Sequence, residues 1–155
     1  MSINFDRLQL VLEEHFALGD WSLHGPDHWR RVECNGLELS ESSGADPDVV
    51  RLFALFHDSC RENEGFDPEH GERGAELAMS MHGDLFELHE HQLEFLVEAC
   101  EGHHHGGTTD GITVGTCWDA DRLDLPRVGM APDEAYMSTE EGRRRAREYQ
   151  APAGW

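Results

Sequence analysis

Basic side chains are scarce in this chain. Its 155 residues hold 12 Lys and Arg against 32 Asp and Glu, a formal charge of −20. A phosphate backbone is bound by clustered cations, so no duplex nucleic acid is expected as a partner. A small phosphate-bearing substrate is not excluded, because a bound metal and a few arginines reverse the field locally. No apolar run approaches 18 residues, so no membrane span is expected. Met1 to Asp20 carries Asp6, Glu13 and Glu14 among its apolar residues and does not read as a secretory leader. The four cysteines, Cys34, Cys60, Cys100 and Cys117, include no C-x-x-C pair. Free, mostly buried thiols in a reducing, cytoplasmic setting fit better than a disulfide framework. Repeats, linkers and low-complexity stretches are absent, and the length suits one domain over residues 1–150 with a loose tail over 151–155.

Hydrophobic residues, at 38%, are few but adequate when they are spread over amphipathic helices. Asn4 to Leu18 has helical spacing and stops at Gly19. Gly25-Pro26-Asp27 opens a second helix that closes by Ser42-Ser43-Gly44. Asp46-Pro47 opens a third, an N-cap followed by proline, which runs through His57-Asp58 to about Cys60. Asp67-Pro68 repeats that signal for a fourth, ended by Gly83-Asp84. Leu88 to Cys100 is the fifth. Thr108 to Gly115 reads as an exposed loop, with Ile112-Thr113-Val114 the only candidate strand, and Thr116 to Val128 as a short sixth helical segment. Ser138-Thr139-Glu140-Glu141 reads as a capping box opening a polar helix that ends near Tyr149. The fold class is all-α, a compact bundle of six or seven helices.

The histidines are the compositional oddity, eleven in all. His57-Asp58 closes the apolar run Val49-Val50-Arg51-Leu52-Phe53-Ala54-Leu55-Phe56. An imidazole and a carboxylate there are costly to bury without a partner, and a divalent cation is the natural one. His28 from the second helix and one of Asp119, Asp121 and Asp124 would complete a set of two imidazoles and two carboxylates. Such a set suits Zn, Mn, Fe, Co or Ni and leaves open positions for water.

The order His28, His57-Asp58, Asp121 resembles the HD-domain metal-dependent phosphohydrolase superfamily. The local strings resemble it too: Asp27-His28-Trp29-Arg30-Arg31-Val32 around the first His, and Trp118-Asp119-Ala120-Asp121-Arg122-Leu123-Asp124 around the last Asp. The likeness spans roughly residues 20 to 130. It implies a helical bundle with a metal held by His28, His57, Asp58 and Asp121. Family members that hold two ions add two histidines from the intervening helices. Candidates for these are His70 and one of His103, His104 and His105, with His103 favoured because it lies closest to the helix end. The resemblance implies attack of a metal-activated water on a small phosphate ester, on a nucleotide or a related metabolite. Asp58, Arg61, Glu62 and Arg122 are the expected catalytic group, the arginines binding phosphate and Glu62 orienting water. The Gly-Tyr-Pro motif of the cyclic-dinucleotide branch is absent. Two other readings stay open: a di-iron oxygenase using the six-ligand set, and a non-catalytic module with a structural metal. His15, His24, His82, His89 and His91 are expected at the surface, His24 alternatively behind a ligand.

Overall fold

The computed structural model describes residues 2–150. Among them lie seven α-helices, two 3₁₀ turns and no strand. The tail expected to be loose, 151–155, falls outside the described residues.

Helix α1 (Phe5–His15) begins where the Asn4 side chain accepts the Arg7 amide, and ends before Gly19, the residue expected to stop it. Helix α2 (Pro26–Ser43) has Pro26 in its first turn and closes at Gly44 in the left-handed region. Helix α3 (Pro47–Phe56) is capped by Asp46, whose carboxylate accepts the amides of Asp48 and Val49. Its second oxygen accepts from Gln92 and so ties α3 to α5. Seven of the ten residues of α3 are buried, which makes it the spine of the core. Helices α2, α5 and α6 pack around it.

Helix α4 (His70–Met81) starts later than Asp67-Pro68 suggests. The Asp67 carboxylate instead accepts from the Glu62 amide and Arg73, pinning the preceding loop. Gly74 lets α4 cross the end of α3, since a Cβ there would stand 2.5 Å from the Phe56 carbonyl oxygen. Helix α5 (Glu90–Gly102) begins two residues after Leu88.

The expected loop and strand before Thr116 are overturned. Ile112-Thr113-Val114 is the first turn of α6 (Ile112–Arg122). Their β-branched character favours a strand, but tertiary contacts decide otherwise. Val114 is buried, and the Thr113 hydroxyl accepts the Asp46 amide at the head of α3. The expected sixth segment divides into the end of α6 and a 3₁₀ turn over Leu125–Val128. The cap of α7 (Glu140–Glu148) is Thr139, the second residue of the expected box and not Ser138, its first. Asp119 reaches over from α6 to accept from the Ser138 amide and from both the amide and hydroxyl of Thr139. That disposes of Asp119 as a ligand candidate, because its oxygens hold α7 in place. Of the cysteines, Cys100 and Cys117 are buried, Cys60 is half-buried and Cys34 is exposed. All four are free, but fewer are buried than expected.

Candidate metal centre

Five helix ends meet at one point. His28 lies in the first turn of α2 and His57 caps the C-terminus of α3. His70 opens α4, His103 caps the C-terminus of α5, and Asp121 lies in the last turn of α6. Asp58 sits in the turn after α3, among all of them.

The backbone sets which nitrogen of each ring faces inward. His57 Nδ1 donates to the Phe53 and Ala54 carbonyls in the last turns of α3 at 3.0 and 3.1 Å. His103 Nδ1 donates to the Cys100 carbonyl at 2.7 Å, and His70 Nδ1 to that of Asp67 at 2.6 Å. His28 Nδ1 meets a carboxylate oxygen of Asp124 at 2.6 Å. Carbonyls and carboxylates only accept, so each Nδ1 carries a hydrogen and each neutral ring aims its Nε2 lone pair inward.

Those lone pairs converge in two groups. His28 Nε2 and His57 Nε2 are 3.1 Å apart, facing Asp58 Oδ2 at 3.2 and 3.3 Å and Asp121 Oδ1 at 3.1 and 3.4 Å. His70 Nε2 and His103 Nε2 are 2.9 Å apart, facing the other Asp58 oxygen at 3.3 and 3.4 Å. Ligands about 2.1 Å from one ion stand about 3.0 Å apart in octahedral and about 3.4 Å apart in tetrahedral geometry. Both groups have that spacing, and Asp58 gives one oxygen to each.

Converging acceptors repel unless a cation lies between them. Asp121 Oδ1 is buried without a hydrogen-bond partner. Burial lowers the basicity of His28 and His57, but the surrounding Asp58 and Asp121, with Asp124 at His28, outweigh it and raise both. Burial raises Asp58 and Asp121, yet the imidazoles hold both well below the usual carboxylate range. The pocket is thus built for positive charge, and a proton or a divalent ion answers the same field. The donor set, its spacing and the orphaned oxygen all fit a divalent metal.

A cavity of about 290 Å³ opens onto this cluster, with Asp58, His70, His103 and Asp121 in its lining. Arg61, Arg122 and Arg127 line it as well, beside an apolar wall of Leu125, Tyr136 and Met137. Arg122 is buried. One of its terminal nitrogens, Nη1, donates to the carbonyls of Gly107 and Tyr136, while Nη2 has no partner. Arg61 donates to the carbonyls of Asn63 and Gly65, with its Nε 3.7 Å from Asp58 Oδ1.

Of the residues expected at the site, His28, His57, Asp58, His70, His103 and Asp121 come together, and Arg61 and Arg122 line the cavity. Glu62 does not. Helix α3 ends at Phe56, so helical spacing no longer relates Glu62 to Asp58. The Glu62 side chain is 70% exposed and points to Arg73 at 3.6 Å, so the water-orienting role expected of it has no geometric basis. One contributor escaped the sequence: Arg127, which donates to the Leu23 carbonyl, carries no motif. Asp124, weighed there as a rival ligand, instead orients His28. His24 takes the second of its two expected places, buried behind a ligand with Nδ1 3.6 Å from Asp58 Oδ2, as the Gly25-Pro26 turn beside it suggested.

The family model described as HD domain matches residues 27–147. The chain belongs to the HD domain family. Its HD fold superposes on the crystal structure of a predicted HD superfamily hydrolase from an uncultured Thermotogales bacterium, with a TM-score of 0.72 and 27% identity over 94% of this chain and 84% of that one. No curated protein matches the chain. No described helix of this HD domain is long and apolar enough to cross a membrane.

Proposed function

We propose that this HD domain is a metal-dependent phosphohydrolase, cleaving a small phosphate ester, a nucleotide or a related metabolite. The observation that carries the reading is one cavity lined by Asp58 and Asp121 together with Arg61, Arg122 and Arg127. Every strong cation in the chain is an arginine, since the sequence has no lysine. Three of the twelve converge here, within a protein of charge −20. With Asp58 and Asp121 engaged by metal, these arginines outnumber the one remaining lining carboxylate, Asp133, and favour an anionic ligand.

His28, His57, Asp58 and Asp121 would hold one ion, and Asp58, His70 and His103 a second. When bound, the metal supplies a positive charge against the phosphate and a lowered pKa for a coordinated water. The remaining work falls to the chain. Arg122 is held in register by the two carbonyls that accept from its Nη1, and its guanidinium sets a fixed positive charge in the cavity wall. Arg61 and Arg127 add positive charge along the wall. Leu125, Tyr136 and Met137 displace water and strengthen these interactions. The four free thiols support a cytoplasmic setting, and the charge of −20 supports a small substrate over a duplex nucleic acid.

The second reading, a di-iron oxygenase, draws on the same six donors with Asp58 shared. A purely structural metal is disfavoured by the cavity opening onto the donors. The deciding experiment uses untagged protein purified without added metal. Tightly retained ions are counted in wild type and in the double variant His70→Ala, His103→Ala, and a panel of phosphate esters is then assayed under anaerobic conditions. Release of inorganic phosphate without oxygen is expected. Retained iron with oxygen consumption and no phosphate release would move the oxygenase ahead, and absence of any bound ion even after soaking would overturn both.

A further inference from the structure

Three histidines follow one another where α5 ends, and of these His103 joins the inner donors. His104 and His105 aim their Nε2 atoms at Glu72 in the first turn of α4. His104 Nε2 lies 3.6 Å from Glu72 Oε2, and His105 Nε2 lies 3.6 Å from Glu72 Oε1. Neither contact has hydrogen-bond geometry, and both His104 Nε2 and Glu72 Oε2 are buried without a partner. Two buried, unpaired polar atoms facing one another are unusual, and each costs free energy unless something lies between them.

The packing holds this arrangement in place. Gly71 sits under the His104 ring, where a Cβ would come within 3.0 Å of Nε2 and would also collide with the Cys100 carbonyl. The His104 ring also lies against that of His70, with centroids 4.5 Å apart. His105 is more than half exposed and free to rotate, so it can close the remaining gap. The surface depression that Glu72 and His105 share also holds Glu94, Glu98 and Glu101. Those charges concentrate cations at its mouth.

We infer that Glu72, His104 and His105 form an outer divalent-metal site, distinct from both inner donor groups and sharing no residue with them. Two imidazoles and one carboxylate suit a borderline ion such as Zn²⁺ or Ni²⁺. Three protein donors leave coordination positions open to water, and His105 and Glu72 are accessible to solvent, so the outer ion exchanges readily. His104 also lines the inner cavity, which puts the outer ion at the edge of the substrate space.

The test is equilibrium dialysis of untagged wild-type protein against Zn²⁺, with the metal counted per chain, beside Glu72→Gln, His105→Ala and Glu98→Gln. Wild type and Glu98→Gln are expected to hold one ion more than Glu72→Gln or His105→Ala. The substituted side chains are partly exposed, and unchanged circular dichroism and melting confirm that each variant is folded. Equal counts in all four proteins would overturn the inference. So would a loss in Glu98→Gln matching that in Glu72→Gln, which marks diffuse attraction to an acidic surface. The variant His28→Ala, which removes an inner donor on α2 away from the rings packed on His104, reports on the inner site, so failure of the outer site and failure of the inner one give different counts.

Discussion

The Nδ1 atom of His28 and the Oδ2 atom of Asp124 stand 2.6 Å apart, joining the first turn of α2 to the segment just after α6. The other Asp124 oxygen accepts from Arg31 Nε at 2.8 Å. A carboxylate behind a metal-binding imidazole fixes its tautomer and raises its basicity. Asp124→Ala is therefore expected to weaken the ion at His28, His57, Asp58 and Asp121 by about 10–100-fold. Titration calorimetry checks this, and unchanged affinity would place Asp124 outside the site's function.

Asp58 faces both donor groups, whereas His103 belongs to one. Asp58→Ala should deplete both ions, while His103→Ala should leave one ion per chain. Elemental analysis after dialysis distinguishes the two patterns. Identical losses in the two variants would mean that the groups do not fill separately.

Protons and metal compete for the same ring atoms. The carboxylates raise His28 and His57 above their ordinary value in the metal-free protein, so their Nε2 atoms hold protons more tightly than free imidazole does. Metal must displace those protons. Affinity should rise with pH through the neutral range, with proton release on binding. Calorimetry in two buffers of different ionisation enthalpy measures the release, and a value of zero would contradict the charge balance described above.

Gly74 holds the crossing of α4 over the end of α3. Gly74→Ala forces the helices apart against the Phe56 carbonyl, an overpacking cost of about 1–3 kcal/mol. A lower melting temperature is expected, along with weaker binding of the ion at His70, because His70 moves with α4. A variant with wild-type melting and metal content would show that the crossing relaxes freely.

Asp67 tests the loop beneath Arg61. Burial raises its carboxyl, but the Glu62 amide and Arg73 outweigh burial and hold it below the usual range. A depressed carboxylate contributes stability above its unfolded pKa of about 3.9, and loses it as pH falls through the lower folded value. Asp67→Asn should cost about 1–2 kcal/mol near neutrality. Its difference from wild type should shrink as the pH drops below about 4. Denaturant melts at several pH values follow the convergence, and a constant difference would assign the loss to shape, not charge.

The residues legible in the sequence were those fixed by order along the chain. His28, His57-Asp58 and Asp121 stand out because their spacing and flanking strings occur together, and proline marked the starts of α2 and α3, with an acidic cap at α3. What escaped depends on approach in space. Arg127 reaches the cavity from a 3₁₀ turn with no periodicity to read. Glu62 was placed by counting helical turns past a helix that had already ended. Ile112-Thr113-Val114 carries the local preference of a strand, and the threonine hydroxyl bonded to the head of α3 outweighs it. The three consecutive histidines left three choices at the sequence level, because a helix terminus sends neighbouring side chains in unrelated directions.

His57 is completely inaccessible to solvent and is anchored through Nδ1 to the final turn of α3, itself enclosed by its neighbours. Its ring therefore cannot swing outward without freeing the spine of the bundle. An ion seated there would depart through the cavity mouth or wait for the whole domain to open. As long as the chain stays folded, that mouth is the one route on and off, and a chain that has lost its ion has to refill through the same opening that admits substrate.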